Sequence, residues 1–539
     1  MKRLPALVRT TVAVLLSLGF ALSVPGAASG VVYAQIEGTG STWSSLIVDQ
    51  WIADVSANGM QVVYTGGGSS KGRKDFSLKS TDFAISEIPY QGTDEQGNAD
   101  TSNGRGYAYL PIVAGGTAFT YQLKVGNERV DNLRLSGETL TKIFTNEITS
   151  WDDPAITADN NGRSFPKLPI TPVVRSDGSG TTAQFTTWMD KAYPAEWRAF
   201  FGKAGLTSYF PREGRAVSQS GSDQVMNYIA SSAGNGTIGY VEYAYPLDKD
   251  YPVVKVLNKA GYYVEPTQYN TAVALTKAKI NQDAGSDLYL TQILDDVYTN
   301  PDPRAYPISS YSYMIIPTAA DDTRMTTAKR QTLADFLFYS LCAGQSKAGP
   351  YGYSPLPLNL VQAGFEQVAK LKAADPAVDV ANRDVKSCNN PTFDGKNLNK
   401  NKLAEIAPQP AACDKTGAGP CGTATGTNQP STDDPAAPAD GSTAPADGGG
   451  GAAAPGEVPV EEAPPVVDPV TGESQAAAPP TTTGGATDAA IYANPTELSA
   501  ERPGDGKAFG LLAVGLLIGL VVLPGVYAGS LRRRTGGAR

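Results

Sequence analysis

An α/β fold is what the sequence predicts, and two observations predict it. Short strand-like runs alternate with helix-like stretches between Gln35 and about Ala374, and the runs end in Gly, Ser or turn residues. A third observation bounds that fold within the 539-residue chain: apolar segments stand at both ends, and a Pro/Ala/Gly/Thr-rich stretch precedes the second. The strand-like runs are QVVYTGG, TDFAIS, YAYLPIVAGG, ITPVVRS, TIGYVEYAY and YSYMIIPTA. Between them lie TWSSLIVDQWIADVSANG, SGETLTKIFTNEI, GTTAQFTTWMDKAYPAEWRAFFG and DQVMNYIASSAG, which carry helical apolar spacing. A sheet built this way offers ligand loops at the C-terminal ends of its strands.

Residues 1–34 read as a secretory signal peptide, with Lys2, Arg3 and Arg9 ahead of an apolar centre and small residues after it. Cleavage after Ala34 or after Ser29 fits the small-residue rule. At the other end, residues 508–530 carry no charge and are long enough to cross a bilayer as one helix. Arg532, Arg533 and Arg534 follow at once, so residues 531–539 form a basic cytoplasmic tail and everything between the two apolar segments lies outside. The expected location is therefore the cell membrane, single-pass, through the chain's own transmembrane helix.

Four cysteines occur, Cys342, Cys388, Cys413 and Cys421. An even number outside the cell suggests disulfides, and pairing of neighbours is the simplest of three connectivities. They mark residues 375–421 as a Cys-containing extension. From 422 to 505 the composition turns to Pro, Ala, Gly and Thr with 13 acidic residues against Arg502. Such a stretch cannot bury enough apolar surface to order itself and reads as a disordered linker. Its reach is ~50 Å as a coil and ~260 Å if fully polyproline-like. The linker carries most of the negative charge, so nucleic acid is not an expected partner. The chain has no histidine, which removes Ser-His-Asp and Cys-His catalysis and His-ligated metals. No metal, cofactor or catalytic residue is expected.

Three Gly/Ser/Thr-rich loops each precede a predicted helix: Gly38–Trp43, Gly66–Gly72 and Asp177–Thr182. Helix N-termini present unpaired N–H groups and partial positive charge, and glycine lets the backbone come close to an anion. Three such loops in one domain, one preceded by Arg175, point to an oxyanion site. In Arg175-Ser176-Asp177 the cation and the carboxylate share one side of an extended segment. The pair is either a surface ion pair or a device in which Asp177 aims the guanidinium at a ligand.

The motifs GTGSTW, GGGSS, STDFAISE, VVRSDGSGTTAQFTTWM and TIGYVEYAY, in this order, resemble those of the periplasmic phosphate-binding proteins that feed Pst-type ABC transporters. The likeness runs from about 35 to 372, and TLTKIFTNEITSWDDPAI extends it. It implies a two-lobed periplasmic-binding-protein-like (type II) fold with two crossover strands, here near Tyr121 and Ser310. Lobe one would be about 36–120 with 311–372, and lobe two 122–310. It also implies an inorganic phosphate ligand and a probable ABC permease partner. By resemblance Thr42, Trp43, Ser69, Glu87, Arg175, Ser179, Gly180 and Thr181 bind phosphate, with Asp177 orienting Arg175. The family more often has Phe where Trp43 stands, and it has aspartate where this chain has Glu87. A membrane-stalked oxyanion sensor or adhesin of the same fold is an alternative, and an extracellular phosphatase a more distant one.

Overall fold

Strands in the middle of this chain's sheet are buried along their whole length rather than on alternate residues. The computed structural model describes residues 33–434. Most of the expected signal peptide, the linker from 435 and the expected membrane helix at 508–530 lie outside the described residues. Among the described residues no helix is long and apolar enough to cross a membrane. Eight strands form one mixed sheet: β1 (Ile36–Gly40), β2 (Val62–Gly66), β3 (Phe83–Ser86), β4 (Tyr107–Gln122), β5 (Thr171–Arg175), β6 (Val217–Gln219), β7 (Thr237–Glu242) and β8 (Ser309–Pro317). The order is β6-β5-β7-β4-β8-β3-β1-β2. Pairing is parallel at both flanks and antiparallel through β4 and β8 in the middle. Every residue of β3, β7 and β8 is buried, as expected of strands covered on both faces.

The sheet serves two cores, which makes the molecule two-lobed. One core gathers Ile36, Trp51, Phe83, Leu110, Met314 and Phe336; the other gathers Phe119, Tyr121, Trp151, Phe185, Trp188 and Tyr240. Sixteen-residue β4 passes from one to the other, with Leu110 to Ala114 in the first and Phe119 in the second. Between them lie Gly115 and Gly116. A Cβ on Gly115 would stand 2.7 Å from the Trp43 ring, and one on Gly116 would stand 2.4 Å from Pro266 Cβ. The crossing therefore falls where side chains are absent. Tyr121, where sequence put it, fills the second core instead. Around the start of β8, Ile308 packs in the second core and Tyr311 in the first. Residues 272–275 and Ala305, expected within lobe two, join the first core, because their apolar faces pack there.

Four helices start just after sheet strands: α1 (Ser45–Ser56), α2 (Ser69–Ser77), α3 (Gly180–Ala192) and α4 (Gly221–Ala230). Their N-termini stand at the C-terminal ends of β1, β2, β5 and β6, and so face one another across the two lobes. The cysteines pair as neighbours, Cys342 with Cys388 and Cys413 with Cys421. The extension packs Leu403, Ala404 and Ala407 into the first core and then docks on lobe two, where Lys255 and Asp414 form a buried pair at 2.8 Å. Composition puts the linker start at 422, yet contacts with the body continue to Ser431, whose hydroxyl accepts from Lys255 Nζ. Hydrogen bonds rather than apolar burial hold this part: Thr425 N–H donates to Asp131 C=O at 2.7 Å, and Gly426 N–H to Glu265 Oε2 at 3.0 Å.

Substituting Gly115 with Val should lower stability by about 1–3 kcal/mol through overpacking against the buried Trp43 ring. Thermal denaturation of Gly115→Val beside wild type measures it, and an unchanged midpoint would mean that the ring yields freely.

Candidate functional site

Each loop holds its backbone open to the cleft by spending its own polar groups locally. Gly40 C=O accepts from both Gly67 and Gly68 N–H at 2.9 Å, which ties the second loop to the first. Gly68 has φ of 90°, a conformation natural to glycine, and it turns the chain into α2 at Ser69. Ser179 caps α3 by accepting from Thr182 N–H at 3.2 Å. Ser41 Oγ accepts from Trp43 N–H at 3.0 Å.

The two lobes meet at hydrogen-bond distance. Ser69 Oγ donates to Glu87 Oε2 at 2.7 Å, and Ser312 Oγ to Glu87 Oε1 at 2.8 Å. Gly180 of the other lobe lies against this group: a Cβ there would be 2.0 Å from Glu87 Oε2 and 2.4 Å from Ser69 Oγ. Gln184 Nε2 on α3 donates to Glu87 C=O at 2.8 Å. On the other flank Thr42 Oγ1 accepts from Ser222 N–H at 3.1 Å. Ser222 Oγ in turn accepts from Arg175 Nη1 at 3.2 Å. Arg175 grips Asp177 with Nε at 2.7 Å and with Nη2, and Asp177 Oδ1 also takes Gly221 N–H at 3.0 Å. A guanidinium has five N–H donors, so one remains on each terminal nitrogen after these bonds. Asp177 is thereby the orienting partner and not a free acceptor.

All the residues singled out in sequence are buried except Asp177, which is partly exposed. Ser69, Glu87 and Ser179 are fully so, and the Thr181 hydroxyl is buried without a partner among the described residues. Thr42, Ser69, Glu87, Arg175, Asp177 and Gly180 converge directly. Trp43 differs: its indole turns toward the crossover, edge-on to Tyr353 at 5.7 Å and over Gly115, leaving only its backbone near Thr42. Sequence reading missed Ser222 and Ser312. Ser222 lies in the first turn of α4, which Gly221 opens, in SQSGSD, so a fourth Gly/Ser loop before a helix was there to be found. Ser312 had no local signal, because its partner Glu87 lies 225 residues away.

Burial raises the Glu87 pKa, and the Ser41, Ser69 and Ser312 hydroxyls draw it part of the way back. For Asp177 burial alone would also raise it, but the Arg175 guanidinium outweighs that and holds the carboxyl below the ordinary value. The result is one ionised pair, one carboxyl costly to ionise, and several N–H and O–H donors turned inward. That set suits a tetrahedral oxyanion carrying a proton. Among the described residues no cluster of three His, Cys, Asp or Glu could hold a metal ion.

A family model described as a PBP superfamily domain matches residues 25–343. The phosphate-binding protein PstS of Xylella fastidiosa (strain Temecula1) is 29% identical over 341 residues, covering 63% of this chain and 86% of that protein. PstS of Methanocaldococcus jannaschii is 30% identical over 349 residues, 62% and 86% of the two chains. PstS 2 of Mycobacterium tuberculosis is 30% identical over 361 residues, 66% and 90%. A high-affinity periplasmic phosphate-binding protein solved with phosphate superposes with a TM-score of 0.49 at 20% identity, over 61% of this chain and 92% of that one.

A raised carboxyl contributes stability that is complete below its unfolded value and is lost as pH rises through the folded one. Wild type should therefore lose stability relative to Glu87→Gln as pH rises above the ordinary glutamate value of 4.5. The midpoint difference between the two proteins across that range is the measurement. A constant difference would mean that Glu87 ionises without cost.

Proposed function

The chain belongs to the PstS family of phosphate-binding proteins within the PBP superfamily, and from that premise we propose that it captures inorganic phosphate outside the cytoplasmic membrane for import by an ABC transporter. The observation that carries the reading is the meeting of Ser69 and Glu87 with Gly180, and of Thr42 with Ser222 and Arg175, across the two lobes. Phosphate sits between the lobes. Thr42, Ser69, Ser179, Gly180 and Thr181 donate to it, whereas the Trp43 N–H is taken by Ser41 Oγ and its C=O by the Tyr353 hydroxyl, so Trp43 shapes the first loop without donating. Arg175, aimed by Asp177, supplies the full positive charge. Glu87 accepts the proton that phosphate retains at neutral pH. Binding of this kind needs no nucleophile and no metal, so the chain is read as a receptor and not as an enzyme.

The signal peptide, the linker and the 508–530 helix complete this reading as a stalked, single-pass receptor with a cytoplasmic C-terminus. Tyr33 and Ala34 favour the earlier cleavage site, after Ser29. Tyr33 O–H donates to Asp335 at 3.0 Å and Ala34 N–H to Thr332 Oγ1 at 3.1 Å, contacts that cleavage after Ala34 would discard. A fixed membrane anchor also suits a sensor of the same ligand. Phosphate uptake that survives loss of the protein would favour the sensor over the importer.

Arg175→Ala should weaken phosphate binding at least a hundredfold, since losing a charge-assisted contact in a desolvated site costs about 2–5 kcal/mol. Titration calorimetry with phosphate on the full chain tests this. An affinity within threefold of wild type would put the ligand elsewhere.

Selectivity should rest on Glu87. An ionised carboxylate accepts from protonated phosphate and repels sulfate, which brings no proton. Glu87→Gln should relax discrimination, because an amide can donate to sulfate as readily as it accepts from phosphate. Competition binding with both anions reads it. Wild type that binds sulfate as well as phosphate would remove this role from Glu87.

A further inference from the structure

Between Gln91 and Asp100 the chain forms a hairpin, Gly92–Thr93 against Ala99–Asp100, to which the reading above gives no part. Its base is fixed inside lobe one. Asp100, 9% exposed, accepts from Arg73 Nε at 3.0 Å, from Arg73 Nη2 at 2.8 Å and from Gln91 N–H at 3.1 Å. Arg73 lies on α2, the helix that begins at Ser69. The tip is stiffened by Asp94, whose carboxylate accepts from Gln96 N–H at 3.0 Å and from Asn98 N–H at 2.7 Å. This frame carries Glu95 across to lobe two, where its carboxylate accepts from Ser208 N–H. Ser208 C=O accepts in turn from Ser179 N–H at 2.9 Å, at the head of α3. The hairpin borders a cavity of about 710 Å³ together with Ser70, Gly178 and Tyr209.

We propose that the hairpin is a latch, and that Glu95 is a positioning residue that holds the lobes closed over the bound anion. The inference rests on the phosphate-binding reading. Glu95 sits on one lobe and Ser208 on the other, so opening must break their bond. A contact made only in the closed state favours that state without touching the ligand. Its effect falls on the escape of ligand, because entry occurs through the open form. The partner amide lies one peptide group's hydrogen bond away from the loop that carries Ser179, so the latch bears on the anion-facing backbone as well. Glu95 is half-buried and water competes for it, which keeps the effect modest.

Stopped-flow measurement of phosphate association and dissociation on the full chain tests the latch. Glu95→Ala should raise the dissociation rate about tenfold, the scale of one charge-assisted hydrogen bond, while association stays within twofold. Glu95→Gln keeps an acceptor oxygen for Ser208 N–H and should restore most of the wild-type rate. Hydrogen exchange at the Ser208 amide should be faster in Glu95→Ala than in wild type, whatever the ligand. An unchanged dissociation rate in Glu95→Ala, or equal changes in both rates, would overturn the latch. Faster association in Glu95→Gln with unchanged dissociation would also overturn it, since Glu95 would then act through charge at the rim. Wild type that binds no phosphate would fail the functional reading instead, and the amide exchange would still decide whether Glu95 holds Ser208.

Discussion

The Arg175–Asp177 pair is the constraint around which the cleft is organised. A guanidinium left 1% exposed cannot stay unpaired, and Asp177, 11% exposed, takes two of its donors. That pairing cancels the charge. With Glu87 ionised nearby, the cleft holds one cation and two anions before any ligand arrives. An incoming oxyanion therefore cannot be drawn by net charge. It must be held by the ends of α2 and α3, by hydroxyls and by the remaining guanidinium N–H groups, all local dipoles with fixed direction. Such a site favours an anion that brings a proton for Glu87 to accept, since burial raises the pKa of Glu87 even with the Ser41, Ser69 and Ser312 hydroxyls beside it.

Local chemistry was legible in the sequence, and long-range meeting was not. Gly68, Ser69, Ser179 and Gly180 announced themselves because a helix start after glycine has a short-range signature. Arg175 and Asp177 did so because two residues of extended chain put them on one side. Ser222 and Ser312 were missed because each takes its meaning from a partner far along the chain: Thr42 is 180 residues from Ser222, and Glu87 is 225 from Ser312. Trp43 shows the other kind of limit. Its position in GTGSTW says that its backbone is near the site, but its indole goes where Gly115 leaves room.

The crossover was misplaced for a related reason. The crossing near Tyr121 was what the family resemblance implied, whereas Gly115-Gly116 closes the run YAYLPIVAGG and looks like a turn. Tertiary packing decides otherwise: the strand continues through the glycines because Trp43 and Pro266 occupy the space that side chains would need. Burial on both faces also erases the alternation by which strand ends are normally read.

The extension and the hairpin act at different places on the same motion. Docking of the extension beyond Cys421 falls on Val253, Glu265 and Tyr243, and Glu265 adjoins Pro266, which covers Gly116. Contacts there lie beside the crossover strands, where rotation of one lobe against the other displaces atoms least. A segment leading toward the linker can be fixed at that point without opposing opening. The hairpin joins the lobes instead through Glu95 and Ser208, neither of them on a crossover strand. A bond away from the pivot is stretched more by a given rotation than one beside it. One hydrogen bond there weighs on closure more than several near Gly116, so the hairpin adds to the control of release that the Gln184–Glu87, Ser222–Thr42 and Ser70–Gly178 bonds also exert, while the extension holds the chain.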